Sequence, residues 1–391
     1  MSYPSLTLLS GRDRSVVNRH PWVFSGAIKS HPKAGLGEII AVKTNHDQLL
    51  GYGFHNPNSR IICRLFEFTS EEREFDREYW IGKVRTAWKL RQRFLPPDTN
   101  CFRLLHAEGD FLPGVIADVY GDVLVLQILT KGGELILDHL LEGFQEIGFQ
   151  NIYLKNKEAA ERFEQVNLEN GWLRGEGEAE RVVREHGLEF RVDFGSGQKT
   201  GFFLDQRENR LLLQNVSRDA RVLNAFSYTG GFSLYALAGG AAVVDSVDVS
   251  SDAVALADEN VRRNVPDAKH NAIVADCFDF LRREGNLYDI VVLDPPAFAR
   301  TPKAVQRASR GYKDLNLHGI KQLRPGGLLF TFSCSGVVDR DLFRKIVFGA
   351  AADAGRDVRI LHQLSQPFDH PINIYHPEGE YLKGLVLEVG E

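Results

Sequence analysis

The sequence predicts an α/β protein whose second half is a mostly parallel, doubly wound sheet, preceded by a small β-rich module and a small α/β module. Three observations predict it. Apolar strand-like runs alternate with helical patterns from Leu188 onward, as in a parallel sheet covered by helices. Asp248, Asp276, Asp294 and Cys334 fall at the carboxyl ends of those runs, the edge at which such sheets bind ligands. Residues 5–68 carry short β-like runs separated by turn residues, which suggests a small barrel.

Those first runs are Trp22–Phe24, Glu38–Val42, Leu49–Phe54 and Ile61–Phe66. Eight Lys and Arg against four Asp and Glu between residues 5 and 68 suit RNA phosphates, and equally a dimerisation or spacer module. At Ser70 the pattern changes. Ser70 is a candidate helix cap with Glu71 and Glu72 behind it. Phe75, Tyr79, Trp80, Val84, Trp88 and Leu90 then keep a helical spacing through Phe94, and Pro96 and Pro97 end it. Phe102–His106, Val115–Tyr120 and Val123–Leu129 read as strands, the last two joined by the hairpin turn Gly121-Asp122. Leu135–Phe144 reads as a helix, Ile152–Leu154 as a strand and residues 170–180 as a loop or hairpin. No motif in this middle region carries chemistry.

Phe190, Val192 and Phe194 alternate as a strand. Gln198 to Arg207 then sets several polar groups ahead of a helix running through Leu213. The stretch Arg221–Ser250 reads as strand, glycine turn, helix and strand, with Thr229, Gly230 and Gly231 in the turn and Asp248 closing the second strand. An acid there can accept both ribose hydroxyls of a nucleoside. The glycine spacing is not G-x-G-x-x-G, so the dinucleotide fingerprint fails. A nucleoside cofactor without a pyrophosphate fits better, with S-adenosylmethionine the leading candidate. Ile273–Phe278 reads as a strand ending in an acid, Tyr288–Leu293 as the next, Leu315–Leu323 as a helix, and Leu328–Phe332 as a strand running into Ser333-Cys334-Ser335. Later strands fall at 358–361 and 383–389.

Composition bounds the rest. The 391 residues leave room for two or three domains, and 43% hydrophobic with 25% charged residues is ordinary for a globular chain. No apolar run reaches the length of a membrane span, and no secretory leader is expected. The four cysteines, at 63, 101, 277 and 334, give neither a disulfide framework nor a zinc spacing. No metal is expected, and a reducing cytoplasm is. The net charge of −5 argues against nonspecific coating of nucleic acid but leaves room for local basic surface. Two segments provide it, at 81–103 and 299–324. The competing reading of each is a solvated helix face.

Two successive prolines after Asp294 stiffen the chain and withhold two amide donors, so its carboxylate and nearby carbonyls can engage the donor edge of a planar base. Asp276 suits the adenine side of a cofactor, with Phe278 as an apolar wall, or equally a helix N-cap. Cys334 lies just past an apolar strand among hydroxyls, where a thiolate can act as a nucleophile. Cys63 and Cys101 lie inside strand-like runs and read as structural. Cys277 stands beside the cofactor or packs in the core.

Together, Asn224-Ala225-Phe226-Ser227-Tyr228-Thr229-Gly230-Gly231-Phe232, Gln198 to Arg207, Asp294-Pro295-Pro296-Ala297-Phe298 and Ser333-Cys334-Ser335 resemble the RlmI-type family of 23S ribosomal RNA cytosine-C5 methyltransferases. Arg19-His20-Pro21-Trp22-Val23-Phe24-Ser25-Gly26 looks like the start of that family's PUA domain. Asp110-Phe111-Leu112-Pro113-Gly114, with Asp118 and Tyr120, resembles its central domain. The resemblance implies a β-barrel PUA domain over residues 1–70, a small central α/β domain over 71–186 and a class I, Rossmann-like methyltransferase domain over 187–391. It implies S-adenosylmethionine as cofactor, held by Asn224, Phe226, Ser227, Tyr228, Thr229, Gly230, Asp248, Asp276, Cys277 and Pro295, with Phe203 and Arg207 from the preceding segment. It makes Cys334 the nucleophile and Asp294 the residue that holds the cytosine. Lys199, Arg300, Lys303, Arg307, Arg310 and Lys313 are the candidate contacts to large-subunit ribosomal RNA, and a homodimer is implied.

Many RNA cytosine-C5 methyltransferases carry a second cysteine directly after the proline of the Asp-Pro motif. Here Pro296 stands there, an absence that RlmI-type enzymes share, so the group that removes the C5 proton stays open. Two rivals remain at this level: a methyltransferase of the same fold acting on guanine or a small molecule, and a non-catalytic RNA-binding assembly protein.

Overall fold

A computed structural model describes residues 3–283 and 288–391. The chain forms two compact units. The first comprises Met1–Gly187, Val192–Leu204 and Phe368–Gly379; the second comprises Leu188–Arg191, Asp205–Pro367 and Glu380–Glu391.

The first unit opens with β1 (Ser5–Leu8), the short α1 (Arg14–Val17), β2 (Trp22–Phe24), β3 (Ile28–Ser30), β4 (Ile39–Lys43), β5 (Leu49–His55) and β6 (Ile61–Glu67). These strands form one six-stranded sheet in the order β2-β6-β5-β4-β1-β3. Leu6, Leu8, Val23, Ile40, Val42, Ile62 and Leu65 are buried together on one side of it. Tyr52, Phe54 and Phe66 belong to a second core. There they meet α2 (Arg77–Phe94), with Phe54 and Trp80 stacked at 5.7 Å and Phe66 and Phe75 edge to face at 4.9 Å.

The same core continues under a second sheet, ordered β11-β10-β9-β8-β7. Its strands are β7 (Cys101–His106), β8 (Val115–Tyr120), β9 (Val123–Ile128), β10 (Asn151–Leu154) and β11 (Gly171–Arg174). The helices α3 (Lys131–Leu135), α4 (Leu137–Glu146) and α5 (Glu158–Glu164) connect them. The cap expected at Ser70 is instead Asp76, whose side chain accepts the N–H of Tyr79. The helix therefore begins later than its apolar spacing suggested.

A buried ionic network ties distant segments into this unit. Arg91, fully buried, donates to both oxygens of Asp110 at 2.5 and 2.7 Å and to the Asp369 carbonyl at 2.8 Å. The Arg103 amide donates to the Asp369 carboxylate at 2.9 Å. Asp118 receives the Arg103 guanidinium at 2.7 and 2.8 Å and the Thr200 hydroxyl at 2.6 Å.

After β12 (Glu180–Glu185) and β13 (Leu188–Asp193), the second unit runs through α6 (Arg207–Val216), β14 (Arg221–Ala225), α7 (Gly231–Ala238), β15 (Val243–Asp248), α8 (Ser251–Asn264) and β16 (His270–Val274). It continues with α9 (Cys277–Leu281), β17 (Tyr288–Leu293), α10 (Val305–Lys321), β18 (Leu323–Ser333), α11 (Arg340–Ala354), β19 (Val358–Leu364) and β20 (Lys383–Val389). Its seven strands lie in the order β16-β15-β14-β17-β18-β20-β19. The first five are mutually parallel, and β20 runs antiparallel to both β18 and β19. The doubly wound sheet is thus as expected. Strand order reverses between β14 and β17, which makes the carboxyl edge there the ligand-binding crevice of such a fold.

Two boundaries differ from the sequence reading. The helix α10 begins at Val305, not Leu315, because Tyr312 and Ala308 extend its buried face backward through a charged segment. The strand before Cys277 ends at Val274, and Asp276 caps α9 by accepting the amides of Phe278 and Asp279. The capping role of Asp276 is therefore filled. No described helix is long and apolar enough to cross a membrane, and no metal-binding group of residues occurs among the described residues.

Candidate functional site

The turn after β14 is built on left-handed backbone. Phe226, Tyr228 and Gly230 take φ of 60°, 46° and 79°. Each reversal must be held from outside, because side-chain-bearing residues disfavour this region. The Tyr228 amide donates to Asp248 Oδ2 at 2.9 Å, and the Ser227 amide donates to the Val247 carbonyl at 3.0 Å. The Phe226 amide donates to Cys277 Sγ at 3.2 Å, and that thiol donates to the Val247 carbonyl at 3.4 Å. Cys277 is buried, and desolvation pushes its pKa up to about 12. It fastens the turn as a thiol. A Cβ on Gly230 would lie 2.8 Å from Ala257 Cβ, so this glycine gives α8 its close approach as well as permitting the turn.

Asn224 is oriented from behind. Its Nδ2 donates to Ser233 Oγ at 2.8 Å, and Ser233 lies 2.6 Å from Ser246 Oγ. Ser246 in turn lies 2.7 Å from His270 Nε2, while His270 Nδ1 faces Asp258 at 3.3 Å. We assign the His270 proton to Nδ1, so that Nε2 accepts from Ser246. This row turns Asn224 Oδ1 away from it. Asn224 Oδ1 and Ser227 Oγ are both buried with no hydrogen-bond partner. Buried acceptors left in this state are costly. They fit a ligand that brings hydroxyl and ammonium donors, as the ribose and methionine parts of S-adenosylmethionine do. Phe226 and Phe278 stand edge to face at 6.1 Å, and Phe278 and Phe298 are 6.0 Å apart. These half-buried rings give the same edge apolar walls for a base.

Asp294 and Cys334 follow the neighbouring parallel strands β17 and β18. Their loops meet. Cys334 Sγ lies 3.9 Å from the Pro295 carbonyl, and Cys334 is half-buried. Ser335 Oγ accepts the Ala299 amide at 3.3 Å and lies 2.9 Å from the Tyr312 hydroxyl, which pins the cysteine loop to the Asp-Pro-Pro loop. Gln206 Nε2 donates to Asp294 Oδ2 at 3.0 Å. Asn209 Nδ2 holds the other end of that amide, at 2.6 Å from Gln206 Oε1.

The expected site residues divide as follows. The structure brings Asn224, Phe226, Ser227, Tyr228, Thr229 and Gly230 together with Asp248 and Cys277, and brings Pro295 together with Cys334. Asp276 is exposed at the α9 cap. Arg207 opens α6 and is fully buried. Phe203 and Lys199 belong to the first unit, where the Lys199 ammonium sits 4.2 Å from the Phe203 ring centre. Of the basic segment, Arg300, Lys303, Arg307 and Arg310 are exposed. Lys313 spends its charge on Asp353 at 2.7 Å. Sequence reasoning does not single out Gln206, which sits inside the polar run Gln198 to Arg207.

The doubly wound sheet, its reversal between β14 and β17, and the acid-anchored turn define a nucleoside-binding class of α/β fold. Comparison with known proteins agrees. The family model for S-adenosylmethionine-dependent methyltransferases matches residues 160–372, and a PUA-like domain model matches residues 6–68. Ribosomal RNA large subunit methyltransferase I of Alteromonas mediterranea is 41% identical over 389 residues, covering 98% of each chain. The protein of that name from Salmonella enteritidis is 41% identical over 395 residues, covering 99% of this chain and 98% of its own. A solved methyltransferase complexed with S-adenosylhomocysteine superposes over the full length of both chains with a TM-score of 0.85 at 25% identity. An S-adenosylmethionine-dependent methyltransferase from Streptococcus mutans gives 0.85 at 24% identity, over 99% of this chain and all of its own, and bears on the fold alone.

The protein is thus an S-adenosylmethionine-dependent methyltransferase with an amino-terminal PUA-like domain. Its chain belongs to the ribosomal RNA large subunit methyltransferase I family.

Proposed function

We propose that this protein methylates C5 of a cytidine in large-subunit ribosomal RNA through a covalent bond between Cys334 and C6 of the base. The observation that carries the reading is the meeting of Cys334 with the Asp294-Pro295 turn, with Sγ 3.9 Å from the Pro295 carbonyl. A sulfur nucleophile and a carboxylate held by Gln206 then flank one ligand edge.

Cytosine C5 is too weak a nucleophile on its own. The Cys334 thiolate forms an S–C6 bond, and the displaced electron pair makes C5 enamine-like. Asp294, near N3 and the exocyclic amine, supplies a proton to the ring as it takes up that electron pair, or steadies the charge that develops there. Bound S-adenosylmethionine supplies an electrophilic methyl group to C5. Loss of the C5 proton to a base and cleavage of the S–C6 bond restore the aromatic ring and return the thiolate. Asn224, Ser227, Tyr228 and Asp248 hold the methionine and ribose parts, and Phe226, Phe278 and Asp276 flank the adenine. The target base leaves its stack to reach the site.

We read residues 1–70 as the RNA-docking module, 71–186 as a module that helps shape its cleft and 187–391 as the catalytic module. Lys199, Arg300, Lys303, Arg307 and Arg310 serve nearby phosphates, and Lys313 contributes less because of Asp353. The relatives' names carry the words large subunit ribosomal RNA, which supports that substrate and a cytoplasmic site of action. A homodimer remains part of the proposal.

Incubation with methyl-labelled S-adenosylmethionine and undermodified large-subunit RNA, followed by nucleoside analysis, tests the reading. Label is expected in 5-methylcytidine and is expected to vanish in Cys334→Ala. Label in a guanosine, or full activity of Cys334→Ala, overturns it.

A further inference from the structure

Lys383 occupies a position where the fold gives a charge little support. It opens β20 opposite Ser333 of β18 and is 2% exposed. Its ammonium donates to the Ser335 carbonyl and to the Tyr381 carbonyl, both at 2.7 Å. Among the described residues it makes no ion pair with a carboxylate. Glu380, the nearest acid in sequence, is engaged by Arg340. A buried ammonium satisfied only by carbonyl dipoles is poorly compensated, and leucine or methionine would fill the same volume at no such cost. The charge therefore needs a reason.

Ser335 immediately follows Cys334, so the lysine is clamped against the loop that carries the thiol. Burial draws the Lys383 pKa down to about 8 from 10.5, and the foremost negative charge opposing that fall is Cys334, ahead of Glu380. The other charges bearing on Lys383 are Arg340 and Asp339 at the start of α11. Arg340 is occupied by Glu380, and the Asp339 carboxylate caps α11 by accepting the Leu342 amide. Of these groups, Cys334 is the one that lies on the ligand edge, beside the Asp294-Pro295 turn.

We propose that Lys383 is a positioning residue for methyl transfer: its ammonium, clamped by the Ser335 and Tyr381 carbonyls, fixes the loop after β18 and stabilises Cys334 as a thiolate. This rests on Cys334 being the nucleophile. A cysteine beside a cation attacks more readily because more of it is ionised. The pairing with a lysine held by carbonyls, not by a carboxylate, leaves its charge unspent.

The test reads the thiol directly and needs no RNA. The full-length protein is treated with iodoacetamide across pH 5–10, and modification of Cys334 is followed by mass spectrometry of its peptide. In the native protein the midpoint is expected at least ~1 unit below an ordinary thiol near pH 8.5. In Lys383→Met it is expected to rise by at least ~1 unit, a ~10-fold fall in thiolate at pH 7. Lys383→Arg is expected to keep a low midpoint while methyl transfer falls, since the guanidinium does not fit the two-carbonyl clamp. S-adenosylmethionine affinity, measured by calorimetry, stays within about 2-fold in both. An ordinary midpoint in the native protein overturns the proposal without any variant, as does an unshifted midpoint in folded Lys383→Met. Cys334→Ala separates the two ideas: if it retains methyl transfer, the nucleophile reading fails whatever the alkylation profile shows. If it is inactive while the midpoints do not move, only the role of Lys383 fails.

Discussion

The Asp248 carboxylate accepts the Tyr228 amide at 2.9 Å with one oxygen and the Ser250 amide at 3.0 Å with the other. One side chain thus fixes both the left-handed turn after β14 and the entry to α8. Replacing Asp248 by Ala removes this hold along with any contact to the cofactor ribose. Hydrogen bonds to a charged acceptor contribute about 1.5–3 kcal/mol each, so S-adenosylmethionine affinity is expected to fall at least ~10-fold. Calorimetric titration checks it, and native affinity in Asp248→Ala would exclude this residue from cofactor binding.

Gly230→Ala meets two obstacles, a φ of +79° and a Cβ 2.8 Å from Ala257 Cβ. A loss of about 1–3 kcal/mol in unfolding free energy is expected from strain and overpacking. The double variant Gly230→Ala with Ala257→Gly is expected to regain only the steric part, because its backbone strain persists. Urea denaturation of both proteins separates the two contributions.

Gln206→Leu leaves Asp294 Oδ2 without the donor now at 3.0 Å. The Gln206 hold on Asp294 is then lost, while Asp294 stays in place on the stiff Pro295-Pro296 loop. Methyl transfer is expected to drop ~10–100-fold, the size of one lost charge-assisted hydrogen bond, with cofactor affinity unchanged. Equal losses in turnover and in cofactor affinity would point instead to a collapse of the α6 entrance.

Cys277 and Cys334 are expected to part company in substitution. Cys277→Ser preserves a donor and an acceptor between Phe226 and Val247, and is expected to retain methyl transfer within about 10-fold. Cys334→Ser is expected to lose at least ~1000-fold, as nucleophile removal does elsewhere. Rates of label transfer to RNA decide it.

Acid sensitivity should begin with histidines. Burial lowers the His270 pKa below 6.5, against a partial opposing pull from Asp258. Burial, and next the Arg103 charge, hold His106 well below 6.5. Both fold as neutral rings while the unfolded chain takes up protons below 6.5. Stability is therefore full above pH 6.5 and falls as pH drops through that value toward the lower folded-state pKa. The carboxylates held below their ordinary values, such as Asp193 and Glu259, add their loss only near and below pH 4. The urea midpoint is expected to fall between pH 7 and 5, and less steeply in His270→Gln. An unchanged slope in that variant would show that His270 does not titrate on unfolding.

The strand ends were legible because each apolar run stops at or just before a residue of different chemistry: Asp248 closes β15, Asp294 follows β17 and Cys334 follows β18. Asp248, Asp294 and Cys334 were found in this way. The start of α10 was not legible, since Arg307, Arg310 and Lys313 interrupt the apolar period that Ala308 and Tyr312 carry. The cap at Asp76 was hidden by an equally plausible Ser70. Asp276 reads from the sequence as either a helix cap or an adenine contact, and its hydrogen bonds to Phe278 and Asp279 fill the first of these roles. The burial of Lys383 and the hold of Gln206 on Asp294 depend on partners 48 and 88 residues away. No local pattern records such pairings.

The passage of residues 368–379 into the first unit has a temporal consequence. Arg91 and Arg103 are synthesised early, yet their partner Asp369 emerges only after almost all of the second unit has been made. At roughly 5–20 residues per second, those two arginines wait many seconds beside Asp110 and Asp118 without the Asp369 contacts. A nascent chain halted before residue 368 therefore carries an amino-terminal module with an unfinished electrostatic seam. Completion of that module therefore waits on the synthesis of residues 205–367 of the second unit.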